Sequence, residues 1–428
     1  MGIQSSLYSG VSGLATNGAA MSVIGNNIAN SNTIGFKSSR TLFSDLLSSS
    51  VSGSGGSSQV GRGVGLSIVD NLFSQGTFEN TESNTDLAIE GPGFFMVRDP
   101  SGGGTINYTR AGGFRFDSDG SLINPEGYCV QGYALDADGN AVGDLIDVQV
   151  ETRSFSPANQ TGNVTISTNL NANAPYTGVA FDPTDPVNTS NYAASIRVFD
   201  SLGNTHLVTT YFNKMDPATN PLEWEFHITV DGGELNGGTA GTLSEVGSGT
   251  ILFDTDGAKV STTPDPVTTT AGALSWANDA DPNQLISFDM QTTQYTSESV
   301  VISSDQDGYG TGTLVKLDID EEGNILGNYS NGQPRALARL ALAKFTSPGG
   351  LVKSGNNMFQ ESRDSGPPVV GTVGSGVGKI FTNSLEQSNV DLAQEFVKMI
   401  TTQRGFQANS KIITTTDEML SELINLKR

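Results

Sequence analysis

Three short acidic strings are the first residues whose type and spacing suit a chemical role. Asp117-Ser118-Asp119-Gly120, Asp136-Ala137-Asp138-Gly139-Asn140 and Asp254-Thr255-Asp256-Gly257 each place two carboxylates two residues apart, as a calcium loop begins. A calcium helix–loop–helix also needs a third ligand before an obligatory glycine and a glutamate six residues beyond it. None of the three has both, and none lies in helical sequence. Aspartate followed by glycine is equally a strong hairpin signal, so these strings are expected to be turns. The glycine strings Gly308-Tyr309-Gly310-Thr311-Gly312 and Gly374-Ser375-Gly376-Val377-Gly378-Lys379 fail as phosphate cradles. The second lacks the first P-loop glycine at the required distance and carries Ile380 where a hydroxyl must hold magnesium.

Nucleophile chemistry is equally thin. Cys129 is the single cysteine, which excludes an intramolecular disulfide framework and a thiolate zinc cage. Its strand-forming neighbours mark it as a small buried hydrophobe. A catalytic thiolate needs a histidine partner, and neither His206 nor His227 sits in a supporting motif. No Gly-x-Ser-x-Gly elbow occurs. A glycosidase needs only two carboxylates, so a β-rich secreted enzyme or adhesin stands as the alternative of a different class. The expectation is a protein that is not an enzyme, with no catalytic, cofactor or metal residues and no cofactor.

Composition narrows the partners. The chain has 428 residues, 52 of them glycine, with 22 basic against 45 acidic side chains and a net charge of −23. Such a balance repels phosphate backbones and anionic lipid, so neither nucleic acid nor membrane surface is an expected partner. No run approaches the roughly 18 apolar residues of a membrane span, so no membrane insertion is expected. The first thirty residues lack a basic region, an unbroken apolar core and a small-residue cleavage site, and export without a cleaved signal peptide is the expectation.

The elements that must do the work are at the ends. Ile3, Leu7, Val11, Leu14, Met21, Ile24 and Ile28 follow helical spacing, with Leu7, Leu14, Met21 and Ile28 seven apart, so a helix is expected to about Asn30. Leu385, Leu392, Met399, Phe406, Ile413 and Leu420 are again seven apart, thickened by Phe396, Ile400, Leu423 and Ile424. Asn389 or Asp391 suits the cap of a second helix from Val390 to Leu426. Heptads sustained this long favour a coiled-coil seam, and an apolar stripe that long needs a partner molecule. Both stripes are therefore expected to drive self-assembly.

Charge agrees with that division. Residues 1–44 carry Lys37 and Arg40 and no acid, whereas residues 148–300 hold 17 acids against four bases. Near-neutral ends can crowd together while an acidic middle keeps a polymer soluble. Between Ser48 and Ser58, ten of eleven positions are serine or glycine, which predicts a loosely ordered connector over 45–69. From about 70 onward, short apolar runs such as Phe94-Phe95-Met96-Val97 and Trp224-Glu225-Phe226-His227-Ile228-Thr229-Val230 alternate with Gly/Asp turns. These read as strands, and the middle as an all-β sandwich or barrel.

Several strings then agree with one family. Leu7-Tyr8-Ser9-Gly10-Val11-Ser12-Gly13-Leu14 precedes Ile24-Gly25-Asn26-Asn27-Ile28-Ala29-Asn30-Ser31-Asn32-Thr33-Ile34-Gly35-Phe36-Lys37, within which Asn26, Asn27, Asn30, Gly35 and Phe36 carry the motif. Asp86-Leu87-Ala88-Ile89-Glu90-Gly91-Pro92-Gly93-Phe94-Phe95, Tyr108-Thr109-Arg110, Leu385-Glu386-Gln387-Ser388-Asn389-Val390-Asp391-Leu392 and Gln403-Arg404-Gly405-Phe406-Gln407-Ala408-Asn409 complete it. Together they resemble the bacterial flagellar rod and hook axial proteins. Length and one large β insertion make the chain similar to the hook members rather than to a distal rod or other hook-associated axial subunit.

The resemblance implies a multidomain α+β fold with paired long terminal helices and two mainly-β domains, nested discontinuously. Residues 1–44 and 383–428 would form an inner helical assembly domain, 45–69 the connector, 70–147 and 303–382 a first β-domain, and 148–302 an outer inserted one. It implies a helical homopolymer forming the flexible, torque-transmitting joint needed for swimming. The implied partners are further copies of the chain, the distal rod protein, the hook cap, the first hook-associated junction protein and the flagellar type III export apparatus. The implied location is the extracellular hook at the basal body.

Overall fold

A computed structural model describes residues 2–53, 56–101, 104–136, 139–151 and 155–426. Helices occupy Gly2–Ala29 and Leu392–Leu426. The second begins two residues later than its apolar spacing alone predicts, because Asp391 caps it. The Asp391 carboxylate accepts from the amides of Ala393 at 2.9 Å and Gln394 at 3.1 Å, covering donors that have no partner within the helix. After the first helix the chain reverses through Gly35, whose φ is +67°. A side chain there would strike the Ala111 amide at 2.5 Å, so only glycine fits.

The two helices run antiparallel. Gly10 faces Ile413, Gly13 faces Asn409 and Gly405 faces Asn17. On the first helix the buried positions are Gly10, Gly13, Thr16, Ala20, Ile24 and Asn27, and those that meet the second helix directly, Gly10, Gly13 and Asn27, are small or polar rather than members of the leucine heptad. Small side chains bring the helix axes closer than leucine would allow. Leu7, Leu14, Met21 and Ile28 flank this face half-buried. Leu385 is not helical: it lies on a strand, Ser384–Glu386, paired antiparallel with Phe78–Asn80. Heptad arithmetic counts an apolar residue on a strand as readily as one on a helix, which is how Leu385 joined the stripe.

The serine- and glycine-rich connector differs from its expectation. Strand Ser39–Asp45 pairs with Val64–Asn71, and Ser49–Gly53 pairs with Gly56–Val60, both antiparallel. Val51, Val60, Val64, Ile68 and Val69 recur among the serines, and β-branched residues favour a paired strand. The ladder also satisfies backbone groups that a loose spacer would leave to water.

The chain divides into two compact units, Met1–Thr152 with Lys316–Gly327 and Arg335–Arg428, and Arg153–Val315 with Asn328–Pro334. In the first, Phe94–Arg98 pairs with Ile106–Thr109 and with the start of Cys129–Leu135. Phe94, Met96, Tyr108, Phe345 and Phe359 fill the core, with ring edges meeting ring faces at 4.7–6.1 Å. The second unit holds two sheets. One is an antiparallel meander of Tyr192–Phe199, Thr205–Lys214, Glu223–Asp231, Leu243–Phe253 and Lys259–Thr263. The other sets Asn163–Asn171 parallel to Ser287–Tyr295 and antiparallel to Val300–Gln306. One core containing Trp224, Phe226, Ile166 and Phe288 joins both sheets, which makes a sandwich.

The acidic strings at 117–120 and 254–257 are turns. Asp117 accepts from the amides of Asp119 and Ser121, and Asp254 from those of Asp256 and Ala258, at 2.7–3.0 Å. These carboxylates are spent on their own backbone. Residues 137 and 138 of the remaining string lie outside the described residues.

Candidate assembly surface and its polar junction

The C-terminal helix leaves most of its apolar side chains uncovered. Leu392, Phe396, Phe406 and Leu420 are exposed, Phe396 by half, and Val397 beside them by 61%. Met399 and Ile413 are half-buried. On the N-terminal helix Ile24 is buried and Val11 is half-exposed, next to Tyr8 at 69%; the side chain of Ile3 is outside the described residues. The C-terminal helix thus presents several large apolar side chains outward, while Gly10 and Gly13 of the N-terminal helix lie against its inner face. A soluble chain rarely leaves so much apolar surface uncovered without a partner for it.

The base of the helix pair is tied to the β-structure by polar groups. Asn27 bridges three elements: its amide donates to the Ser39 carbonyl at 2.8 Å and to the Glu395 carboxylate at 3.2 Å, and its carbonyl oxygen accepts from the Ser39 amide at 3.0 Å. Lys398 completes the Glu395 partners at 2.6 Å. Asn389 accepts from the Ser38 amide and donates to the Leu72 carbonyl, each at 2.8 Å. Of the remaining motif residues, Asn26 and Asn30 bond each other across one helical turn. Phe36 is buried beneath the Lys353 ammonium, 5.4 Å from its ring centroid.

Deeper still, one carboxylate holds two cations. Glu386 accepts at one oxygen from Lys37 at 2.6 Å, from Gln75 at 2.9 Å and from the Gly76 amide at 2.8 Å, while its other oxygen lies 3.4 Å from Arg110. The side chains of Lys37 and Glu386 are fully buried and that of Arg110 nearly so. Burial pushes Lys37 and Arg110 below their ordinary pKa values, and the Glu386 charge opposes it. Lys37 also donates to the Ser74 carbonyl at 2.8 Å, and Arg110 to the Gly91 carbonyl at 2.5 Å. Buried charges persist only when paired and hydrogen-bonded in this way. Such bonds fix direction as well as distance, so the junction sets one angle between the helix pair and the sheet.

Sequence reasoning missed Glu395 and the junction roles of Lys37, Arg110 and Glu386, and it offered Asn389 as a helix cap where the side chain instead ties Ser38 to Leu72 and Asp391 makes the cap. A signal did exist: Lys37 is the first charged side chain in the chain. A lone charge at a helix–strand boundary invites a search for its counter-ion. Cys129 is buried and unpaired, and burial raises its thiol pKa, the reverse of what a nucleophile needs.

Models of four flagellar families match along the chain: the flagella basal body rod protein at residues 7–37, the flagellar hook protein FlgE/F/G D1 domain at 88–170, the flagellar basal body protein FlaE D2 domain at 169–309, and the flagellar basal body rod FlgEFG protein C-terminal region at 382–426. Three full-length relatives settle the family. The flagellar hook protein FlgE of Borreliella burgdorferi is 37% identical over 99% of both chains. Those of Treponema pallidum and Escherichia coli are 36% and 33% identical, again over 99% of both. The chain belongs to the flagellar hook protein family. Its members are structural components of the flagellum, related at both termini to the basal-body rod proteins.

Proposed function

We propose that the chain is the repeating subunit of a tubular hook that carries torque from the basal-body rod to the filament and so supports swimming. The observation that carries this reading is the outward-facing apolar surface of the antiparallel helix pair. In an isolated subunit Phe396, Val397 and Phe406 face water; in a helical homopolymer each would be covered by a neighbouring copy. Burying such a side chain stabilises by about 1.5–3 kcal/mol, enough over several positions to offset the freedom lost on assembly.

In this reading the helix pair is a coiled-coil-like inner domain, with the first β-domain and the inserted outer domain nested between its two halves. The polar junction at Asn27, Asn389 and Glu386 carries load from the helices to the sheet without slipping. Bending then falls to contacts between outer domains, whose acidic surfaces adhere weakly. The distal rod protein, hook cap, first junction protein and type III export apparatus follow as partners, with export lacking a cleaved signal.

Electron microscopy of the concentrated full chain is the test, and uniform tubes are the expected result. Removing residues 390–428 is expected to abolish both tubes and swimming. A chain that stays monomeric at every concentration refutes the reading.

A further inference from the structure

A cavity of about 580 Å³ opens where the N-terminal helix meets the β-structure, lined by Asn30, Ile34, Phe36, Lys353, Asn357 and Met358 among others. Its lining mixes apolar Ile34, Phe36 and Met358 with polar side chains, and of its two ammonium groups Lys37 is paired with Glu386 whereas Lys353 makes no ion pair among the described residues. The Lys353 ammonium donates to the Ser39 hydroxyl at 2.9 Å and lies over the Phe36 ring. Among the described residues no carboxylate lies within ion-pairing distance of it; Glu126 is on the cavity wall but forms no ion pair with Lys353. With 45 acids against 22 bases on every copy, carboxylates able to answer this ammonium are plentiful. The missing occupant should bring a carboxylate and an apolar side chain together.

The far end of the C-terminal helix carries that combination. Asp417 and Glu418 are exposed and make no ion pair among the described residues, and next to them Met419 and Leu420 are also exposed. Its own cavity is out of reach. The antiparallel pairing puts Glu395 beside Asn27 near the cavity and Ile413 beside Gly10 at the opposite end. At about 1.5 Å per residue, Glu418 stands roughly 35 Å along the helix from Glu395. Resting on the self-assembly reading, we propose that the Lys353 cavity receives the Asp417–Leu420 turn of a second copy, with Lys353 pairing to its carboxylates and Ile34, Phe36 and Met358 meeting its apolar side chains. One surface of a copy thus meets a different surface of the next, and such a head-to-tail contact that does not close generates an open helix.

Charge reversal in the full chain tests this. Lys353→Glu alone, and Asp417→Lys with Glu418→Lys in a second protein, should each raise the critical concentration for tube formation by about tenfold or more, since like charges at a contact are strongly disfavoured. An equimolar mixture should assemble near the wild-type concentration, because every junction can then pair opposite charges. Both proteins are first matched to wild type by circular dichroism and thermal unfolding. If a reversal unfolds, Lys353→Gln and Glu418→Gln take its place, and a raised critical concentration is again the expected result. An unchanged critical concentration in either single protein overturns the proposal, as does a folded mixture that stays unassembled. Failure of the wild-type chain to form tubes instead refutes the self-assembly reading beneath it.

Discussion

Replacing glycine by alanine at two places on the N-terminal helix should have opposite effects. At Gly13 a new Cβ would lie 2.6 Å from the Asn409 amide nitrogen and 2.7 Å from its Cγ. Ordinary contact begins near 3.4 Å, so Asn409 must leave its rotamer or the helices must part by several tenths of an ångström. Overpacking of this kind costs about 1–3 kcal/mol. Removing a mid-helix glycine returns about 1 kcal/mol, leaving Gly13→Ala destabilising by up to about 2 kcal/mol. At Gly18 nothing stands within 4 Å of the new Cβ, so only the gain remains and Gly18→Ala should stabilise by about 1 kcal/mol. Amide hydrogen exchange across the N-terminal helix, on the subunit below its assembly concentration, reads the difference directly. Exchange should quicken by up to about 30-fold in the first variant and slow about fivefold in the second, at about 1.4 kcal/mol per factor of ten. Equal shifts in both variants, or greater protection in Gly13→Ala, would show that the helices do not meet on their small-residue face.

Further outcomes follow from the junction, the cap and the acidic unit. Glu386→Gln removes the charge shared by Lys37 and Arg110 and leaves both cations buried without a counter-charge, so denaturant unfolding should find the first unit less stable by about 3–5 kcal/mol; a loss under 1 kcal/mol would dismiss the ion pair as a structural tie. Asp391→Ala should cost about 1 kcal/mol and fray the start of the C-terminal helix in hydrogen exchange, whereas unchanged protection at Ala393 and Gln394 would count against the cap. Burial by itself raises the Asp200 carboxyl, but hydrogen bonds from Asn278, His206 and Asn204 outweigh it and hold the group at about 2. A carboxyl lowered on folding stabilises above its unfolded value near 3.9, and that contribution is lost as pH falls toward 2. Between pH 5 and 2 the second unit should therefore lose about 1–2 kcal/mol that the Asp200→Asn variant does not lose, measured by denaturant unfolding at each pH; parallel pH profiles would refute it.

Sequence spacing alone determined both terminal helices, the turn character of the aspartate–glycine strings, the strand-rich middle and the family, because each is written in local periodicity or contiguous motif. It did not determine which helix face meets the other. Leu7, Leu14 and Met21 have the stronger hydrophobic signal, yet Gly10 and Gly13 lie at the contact, since closeness of approach depends on the opposing helix as much as on apolarity. The 45–69 connector shows another limit: serine and glycine describe a chain free to be loose, and pairing of its own segments with one another and with the adjoining Ser39–Asp45 strand decides that it is not. Glu386 shows it most sharply. Its partners Lys37, Gln75 and Arg110 are hundreds of residues away in the chain, and electrostatic pairing over that separation leaves no periodic trace. Only the folded arrangement, which removes all three charged groups from water together, makes them one site.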